Sequence, residues 1–408
     1  MGELRTDVAI AGGGMVGLTL ALALAQGGLE VVIADPLTRA QMADEHFDGR
    51  VAALAFSSVR MLRVLGLWAR LEAHAQPIHD ILVSESVPGR GPLPLSLHFD
   101  HREIGEPLGH IVENRHIRQA LLAEVAAEER IVFLPGISVT ELAIAGEGAE
   151  LALSDGSKIR APLAIAAEGR ESALREAQGI SVVGWDYGQT GIVTTVEHER
   201  PHNGVAYEQF LPTGPFAILP MTGNRASLVW TEKASEARRL IAMPEPDFTA
   251  ELLRRFGAHL GNVKPVGPRW SYPLRLSLAR AYVKQRFALA GDAAHTIHPL
   301  AGQGLNLGLK DVAALAETVL DAARLGMDHG QLDVLKRYER WRRFDSFALA
   351  VATDTLNRLF SNDFLPLKLA RDVGIGVVDR IAPLRRFFMR HAGGDLGLLP
   401  RLLKGEAA

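Results

Sequence analysis

The apolar run Asp7-Val8-Ala9-Ile10-Ala11 near the start of the chain predicts a short buried strand. Three glycines follow. The alanine- and leucine-rich stretch from Gly14 to Gln26 then predicts a helix that Gly27-Gly28 ends, and Glu30 to Ala34 predicts a second buried strand. Together these pieces form a β-α-β unit. Val51 to Leu65 and Ile117 to Glu128 read as helices. Ile131 to Leu134, Val139 to Ala143, Glu150 to Leu153 and Leu163 to Ala166 read as strands with glycine-rich turns between them. From Trp185 to Trp230 the pattern is β-like, as in Gly191-Ile192-Val193-Thr194-Thr195-Val196 and Ala226-Ser227-Leu228-Val229-Trp230. Phe248 to Phe256 and Lys310 to Leu325 are helical in pattern, and no internal repeat or low-complexity linker is visible.

Composition narrows the classes. The 408 residues, 48% hydrophobic and 22% charged, suit two or three globular domains. A formal charge of −3 argues against nucleic acid as the main partner. The absence of cysteine excludes disulfides, thiolate metal sites, cysteine nucleophiles and a redox dithiol, and it fits a cytoplasmic protein. Val8 to Leu29 carries no charge and mimics a membrane span or a signal peptide. The consecutive Gly12, Gly13 and Gly14, with Glu3 and Asp7 on the flank, fit a strand–turn–helix better.

Gly12-Gly13-Gly14-Met15-Val16-Gly17 matches G-x-G-x-x-G between a strand and a helix. The first glycine permits the tight turn, the second lets a pyrophosphate approach the backbone, and the third lets helix and strand pack closely. The pyrophosphate then meets free N–H groups at the helix N-terminus. Asp35 ends the second strand, 18 residues past Gly17, where a carboxylate accepts adenosine ribose hydroxyls. This motif alone does not separate FAD from NAD.

Two later segments do. Arg286 to His295 is a strand ending in Gly291-Asp292, continuing through Pro299, Gly302-Gln303-Gly304, Leu305, Asn306, Gly308 and Asp311. It resembles the second FAD fingerprint of the class A flavoprotein monooxygenases, the para-hydroxybenzoate hydroxylase superfamily. The resemblance implies that Asp292 binds the ribityl chain, that Pro299 lines the flavin ring, and that the helix start over Gly302 to Asn306 aims N–H groups at the flavin's pyrimidine end. That end is negative when reduced, so the placement is physically sound. The same match sets His295 and His298 near the flavin, although paired loop histidines are more often structural. Ala166-Ala167-Glu168-Gly169-Arg170-Glu171-Ser172-Ala173-Leu174-Arg175 resembles the family's D-G-x-x-S-x-x-R element, with Glu168 in place of the usual Asp.

Within the superfamily the chain is most similar to the ubiquinone-biosynthesis hydroxylases. Asp48-Gly49-Arg50-Val51-Ala52-Ala53-Leu54 resembles their flavin loop and implies that Arg50 lies near FAD. Val112-Glu113-Asn114 resembles their interdomain helix start, Phe210 to Pro220 and Ser227 to Trp230 their substrate-domain strands, and Tyr338 to Asp345 and Ala392 to Leu396-Gly397 their tail. Asn114 suits a helix cap and a flavin contact about equally. Trp185 and Tyr187 suit a substrate pocket or the core.

The fold so implied is mixed α/β: a Rossmann-like FAD-binding domain, a β-sheet substrate domain and a C-terminal helical region. Expected boundaries are 1–75, 105–180 and 276–330 for the first, 76–104 and 181–275 for the second, and 331–408 for the third. The implied reaction is hydroxylation of an aromatic ring through a flavin C4a-hydroperoxide, with FAD as cofactor, NAD(P)H as transient reductant and O2 as co-substrate; no protein nucleophile is needed. G-x-S-x-G, H-E-x-x-H, G-x-x-x-x-G-K-[ST] and a second G-x-G-x-x-G are all missing. A polyprenylated phenol is the expected substrate. The open alternatives are a related flavoprotein acting on another substrate (an aromatic catabolic hydroxylase or a prenyl-lipid reductase) and a flavin-holding subunit of a biosynthetic complex. From Gln331 onward the chain is basic, with 14 Lys and Arg against 9 Asp and Glu. There Ala370, Val373, Val377, Ile381, Leu384 and Phe388 trace one helix face, interrupted by Gly374 and Gly376. That face suits docking on the body, or a partner or peripheral contact at the inner membrane. A homo-oligomer is left open.

Overall fold

The structure, a computed structural model, describes residues 2–87, 91–298, 302–360, 381–395 and 397–408. It is mixed α/β, built on a six-stranded and an eight-stranded sheet with two smaller sheets beside them. The six-stranded sheet runs Val283–Lys284, Phe287–Leu289, Leu163–Ala166, Val8–Ala11, Val31–Asp35, Ile131–Pro135. All its pairings are parallel except the first. Helices cover it, so strands such as Val8–Ala11 and Val31–Asp35 are buried at every position, which is why their sequences are apolar without alternation.

The helix Met15–Gln26 returns the chain over this sheet and packs against helices Asn114–Ala127 and Gln303–Arg324. Its approach to the strand is set by two glycines. Gly12 has φ of +106°, and a Cβ there would lie 2.4 Å from the Ala167 carbonyl oxygen; a Cβ on Gly17 would lie 1.9 Å from the Gly12 carbonyl oxygen. Neither neighbour can yield, because both are backbone.

The eight-stranded sheet runs His295–Thr296, Val263–Ala279, Val182–His198, Arg225–Lys233, Gly214–Met221, Val205–Leu211, Asp80–Val87, Gly91–Asp100. Its pairings are antiparallel except that of Val205–Leu211 with Asp80–Val87. One face packs Ile192, Phe216, Leu228 and Trp230 against Phe248, Leu252 and Phe256 of the helix Glu245–Phe256. A helix at Ala234–Ala242, unannounced by the pattern, joins this layer.

Val51 to Leu65 departs from the helical expectation. Val51–Ala55 is a strand paired antiparallel with Gly109–Glu113, and only Phe56–Val64 is helical. The partner strand is more than fifty residues away, so local periodicity carries no trace of it. The tail forms a long helix, Leu332–Phe360, and a shorter one, Ala382–Ala392. Of the expected apolar face, Ala370, Val373 and Val377 lie outside the described residues, as do the interrupting Gly374 and Gly376. Ile381 and Phe388 are exposed, and Met389 is the residue that packs inward.

The tail helix is fastened to the body by a buried carboxylate. Asp311, in the helix Gln303–Arg324, accepts from the Gly291 N–H at 2.9 Å and from Arg342 Nε at 2.8 Å, and pairs with His295 Nε2 at 2.5 Å. Arg342 also donates to Asp345 at 2.5 Å. Burial alone would raise the Asp311 pKa, but the His295 and Arg342 charges outweigh it and hold the carboxyl below its ordinary value.

Two predictions follow from this packing. Gly17→Ala forces the helix off its strand, with an expected loss of roughly 1–3 kcal/mol or more, readable by urea denaturation. Asp311→Ala leaves the Arg342 charge buried with Asp345 alone and removes the carboxylate paired with His295, and it is expected to cost about 3–5 kcal/mol at neutral pH. Because the folded carboxyl titrates below its unfolded value, that gap is full above the unfolded pKa and narrows as pH falls through the folded one. A gap that widens on acidification would contradict the assignment.

Candidate functional site

Between the eight-stranded sheet and a set of turns and helix starts that includes Met15, Asp292 and Gly302, a cavity of about 330 Å³ opens. Met15, Arg50, Asn114, Asp292, Gly302, Gly304 and Leu305 line one side of it. Val193, Ala217, Leu219, Val229 and Leu274, from the eight-stranded sheet, line the other. Arg50 also lines a second cavity of about 520 Å³, with Gly13, Gly14, Asp35 and Trp270. The two cavities thus meet at Arg50 and join the first glycine turn to the Gly-Asp turn. Their size suits a cofactor with a substrate beside it.

Gly14 precedes the helix Met15–Gln26 with no side-chain cap, and a Cβ added there would meet nothing within 4 Å. Its φ of −69° is open to any residue. The space at Gly14 is therefore not demanded by the fold, unlike that at Gly12 and Gly17. Asp35 accepts from Gly13 N at 2.6 Å and Leu37 N at 2.8 Å, which fixes the carboxylate at the cavity rim with acceptor capacity remaining. Gly302, in the left-handed region at φ +64°, starts the helix Gln303–Arg324, also without a side-chain cap. Gly302, Gly304 and Leu305 of that helix start line the cavity, and a Cβ added at Gly304 would meet no described atom within 4 Å.

Asp292 is open to water within the cleft yet surrounded by protein. Burial pushes its carboxyl up from the ordinary value, with His295 and Arg170 pulling it back. Arg50 donates to Asp48 at 2.6 Å and lies 5.1 Å over the Trp270 ring. Among the described residues, Asn114 Oδ1 is buried without a hydrogen bond, as are Ser227 Oγ, Thr231 Oγ1, Thr296 Oγ1 and both ring nitrogens of His298. All of these residues line the cavity described first. Unpaired buried polar atoms are costly, and here they converge on one space, which is the signature of a site that a ligand completes. Burial pushes the His298 imidazole down to about 4, so it is neutral at physiological pH.

Other motif residues act through packing. Val16 stands against Gly291, whose added Cβ would lie 3.1 Å from its side chain. Gly291 itself has φ of +64° and donates its N–H to Asp311. Asn306 donates to the Ala53 carbonyl at 2.7 Å and accepts from Ala55 N and Ser58 Oγ at 2.9 Å each, so its side chain staples the helix start to the Val51–Ala55 strand and does not line the cavity. Glu168 accepts from Ser172 Oγ at 2.6 Å and Leu174 N at 3.2 Å, which makes it the organiser of its own turn. In the same element Arg175 donates to the carbonyls of Arg170 and Ala293, joining this turn to the Gly-Asp turn. Pro299 lies outside the described residues. Trp185 and Tyr187 line a separate, open cavity, and Tyr187 meets His298 edge-on at 5.2 Å.

Sequence reasoning passed over Glu208, which lines the main cavity. The available signal was a charged residue sharing a strand face with Ala206 and Phe210, which are buried. Among the described residues, no cluster of His, Asp and Glu is arranged to hold a metal ion.

The family model described as "FAD binding domain" matches residues 5–350. The chain is 50% identical over 402 residues to the ubiquinone hydroxylase UbiL of Rhodospirillum rubrum, covering 98% of this chain and 92% of that protein. It is 37% identical over 393 residues to the 3-demethoxyubiquinol 3-hydroxylase of Escherichia coli, covering 95% and 98%. Its fold superposes on the crystal structure of p-nitrophenol 4-monooxygenase PnpA from Pseudomonas putida with a TM-score of 0.78, at 20% identity, covering 98% of this chain and 100% of that one. The two glycine turns, the Gly-Asp turn between them and these matches along nearly the whole chain lead to one assignment: the chain belongs to the class A flavoprotein monooxygenases, in the FAD-binding-domain family that includes the ubiquinone hydroxylases.

Proposed function

We propose that this chain is an FAD-dependent hydroxylase of an aromatic ring, consuming NAD(P)H and O2, and that its substrate is a polyprenylated phenol on the route to ubiquinone. The observation that carries the reading is the cavity between the glycine turns and the apolar sheet wall, with unpaired polar atoms from both sides directed at it. The similarity to a ubiquinone hydroxylase and to a 3-demethoxyubiquinol 3-hydroxylase supports the substrate class. The corresponding division of labour puts flavin binding in 1–75, 105–180 and 276–330, substrate binding in 76–104 and 181–275, and a helical region in 331–408.

The residues present fit FAD. Gly14, Met15 and the free N–H groups beside them suit the pyrophosphate, and Asp35 the adenosine ribose. Asp292 suits the ribityl hydroxyls, Gly302, Gly304 and Leu305 the ring's acceptor end, and Arg50 and Asn114 its flank. Gly12, Val16, Gly17, Gly291, Asn306 and Glu168 support that constellation from behind. Bound there, FAD supplies the redox chemistry, taking two electrons from NAD(P)H and delivering one oxygen atom of O2 to the ring. The chain's part is to orient the ring and to exclude water, and Val193, Ala217, Leu219 and Val229 form the dry wall that does so.

A contact with a membrane surface also belongs to this proposal. Phe344, Phe347 and Val351 are exposed at helical spacing on the tail helix, with the exposed Arg340 and Arg343 beside them. Among the described residues no helix is long and apolar enough to cross a membrane.

Purified protein is expected to absorb near 450 nm and to convert a prenylphenol to a product carrying one atom of isotopic O2; protein that refuses added flavin would overturn the reading. Gly14→Val is expected to melt like the wild type while holding flavin at least about tenfold more weakly, a loss of ~1.4 kcal/mol. That is the opposite of Gly17→Ala, in which stability falls first. The wild type is expected to co-sediment with vesicles rich in anionic phosphatidylglycerol, and Phe344→Ser with Phe347→Ser to lower that binding on the order of tenfold. Equal binding by the double variant would remove the membrane contact and leave the hydroxylase reading untouched.

A further inference from the structure

Across the eight-stranded sheet the strand register sets one row of side chains toward the cavity. Glu208 pairs with Ala217, Ala217 with Val229 and Val229 with Val193, and on its other side Glu208 pairs with Val83. The next row pairs Leu219 with Ser227. Four of the five residues in the Glu208 row are apolar. Glu208 is the charged one; it is half-buried, it lines the cavity, and among the described residues no side chain pairs with its carboxyl. An unpaired carboxyl against an apolar wall costs free energy that the fold does not recover. Its geometry resembles that of a group waiting for a hydrogen-bonding ligand.

We propose that Glu208 is the proton acceptor for a ring hydroxyl of the aromatic substrate, and therefore a catalytic residue of the hydroxylation; the inference rests on the reading of the cavity as an aromatic hydroxylase site. Desolvation pushes the Glu208 carboxyl up to about 7. A carboxylate so raised is a much better match for a phenol than one at its ordinary value, and near neutral pH a large share of it remains ionised. The surroundings leave this role to Glu208. The cations on the cavity are Arg50, Arg170 and Arg275, and none of them adds to the Glu208 shift. Asp292 and His295 lie on the Gly-Asp turn across the cavity, where Asp311 holds His295. Glu85, on the strand beside Glu208, falls on the same sheet face two residues past Val83. Tyr272 is pushed up to about 12 and is no base at neutral pH. His298, kept neutral and with Asp354 as its nearest carboxylate influence, is suited to hydrogen-bond a second ring substituent.

The step balances as follows. The phenol O–H bond breaks, its proton goes to a Glu208 carboxylate oxygen, and the electron pair stays on the phenol oxygen, spreading to the ortho and para carbons. The O–O bond breaks as one of those carbons forms the new C–O bond to one oxygen atom from O2, and that carbon then loses its own hydrogen as a proton to restore aromaticity. The other oxygen atom leaves as water; NAD(P)H supplies the two electrons as a hydride, and the ring hydrogen, that hydride hydrogen and one solvent proton make up the three hydrogens of the new hydroxyl and the water. Glu208 returns its proton to the phenolate oxygen of the product.

The test uses the flavin-loaded full chain with a geranyl-substituted phenol and with a ring-fluorinated analogue that ionises unaided at neutral pH. Wild-type turnover is expected to fall as pH drops below about 7, where Glu208 takes up a proton. Glu208→Gln is expected to keep its flavin spectrum, to lose roughly 10²–10⁴-fold in turnover of the plain phenol, to lack the acid limb, and to recover most of the loss on the fluorinated phenol. Glu208→Asp is expected to keep the acid limb at reduced rate, which separates lost chemistry from lost folding. A Glu208→Gln protein with unchanged turnover, or one equally slow on both phenols, overturns the proposal and leaves the hydroxylase reading standing. A wild type that holds flavin but hydroxylates no phenol overturns both.

Discussion

The site depends on the buried Asp311 carboxylate. It receives the Gly291 N–H, the His295 imidazole and the Arg342 guanidinium, three groups from two stretches of chain, while sitting itself in a third, the helix that Gly302 begins. A carboxylate at zero exposure is tolerable only with such partners. The consequence is geometric: the Gly-Asp turn, the glycine-led helix and the tail helix cannot move independently. Asp292 and Gly304 therefore reach the same cavity from opposite ends of one clamp. Val16 adds an apolar lock, because its methyl groups fill the space left by Gly291 and by Gly308.

The glycines of the first turn show how one motif divides two tasks. Gly12 and Gly17 are required because backbone oxygens occupy the place of a Cβ. Gly14 is required by nothing in the polypeptide. A space that the fold does not need, at an uncapped helix N-terminus, is best explained by something that binds there. The same contrast separates Gly302, pressed against Ala53 in a left-handed turn, from the open Gly304.

Legibility in the sequence followed the range of the interactions. The β-α-β unit was readable because its glycines, its apolar runs and Asp35 lie within one short window. Val51–Ala55 was misread as helix because its character comes from Gly109–Glu113, a partner no local pattern contains. The motif residues gave the location of the site but not each residue's task. Asn306 and Glu168 turned out to have their side chains engaged in stapling and turn-building, since an amide or a carboxylate in a motif can serve the chain as well as a ligand. Glu208 was silent because its significance rests on cross-strand register: a Glu in an alternating strand is ordinary until the row beside it proves apolar and faces a cavity.

The two walls of the cavity also assign the chemistry. The wall built from turns and helix starts presents uncapped N–H groups and a carboxylate, features suited to an anionic, hydroxyl-bearing cofactor. The wall from the eight-stranded sheet presents short apolar side chains that exclude water, and within them the single carboxyl of Glu208 and the hydroxyls of Ser227 and Thr231. In such a setting one polar contact decides how the ring lies, because the apolar surface around it has no directional preference of its own. An apolar sheet face with one carboxyl set into it is thus the arrangement that the proposed role of Glu208 requires: a surface that tolerates a greasy ring and a single fixed point for its hydroxyl.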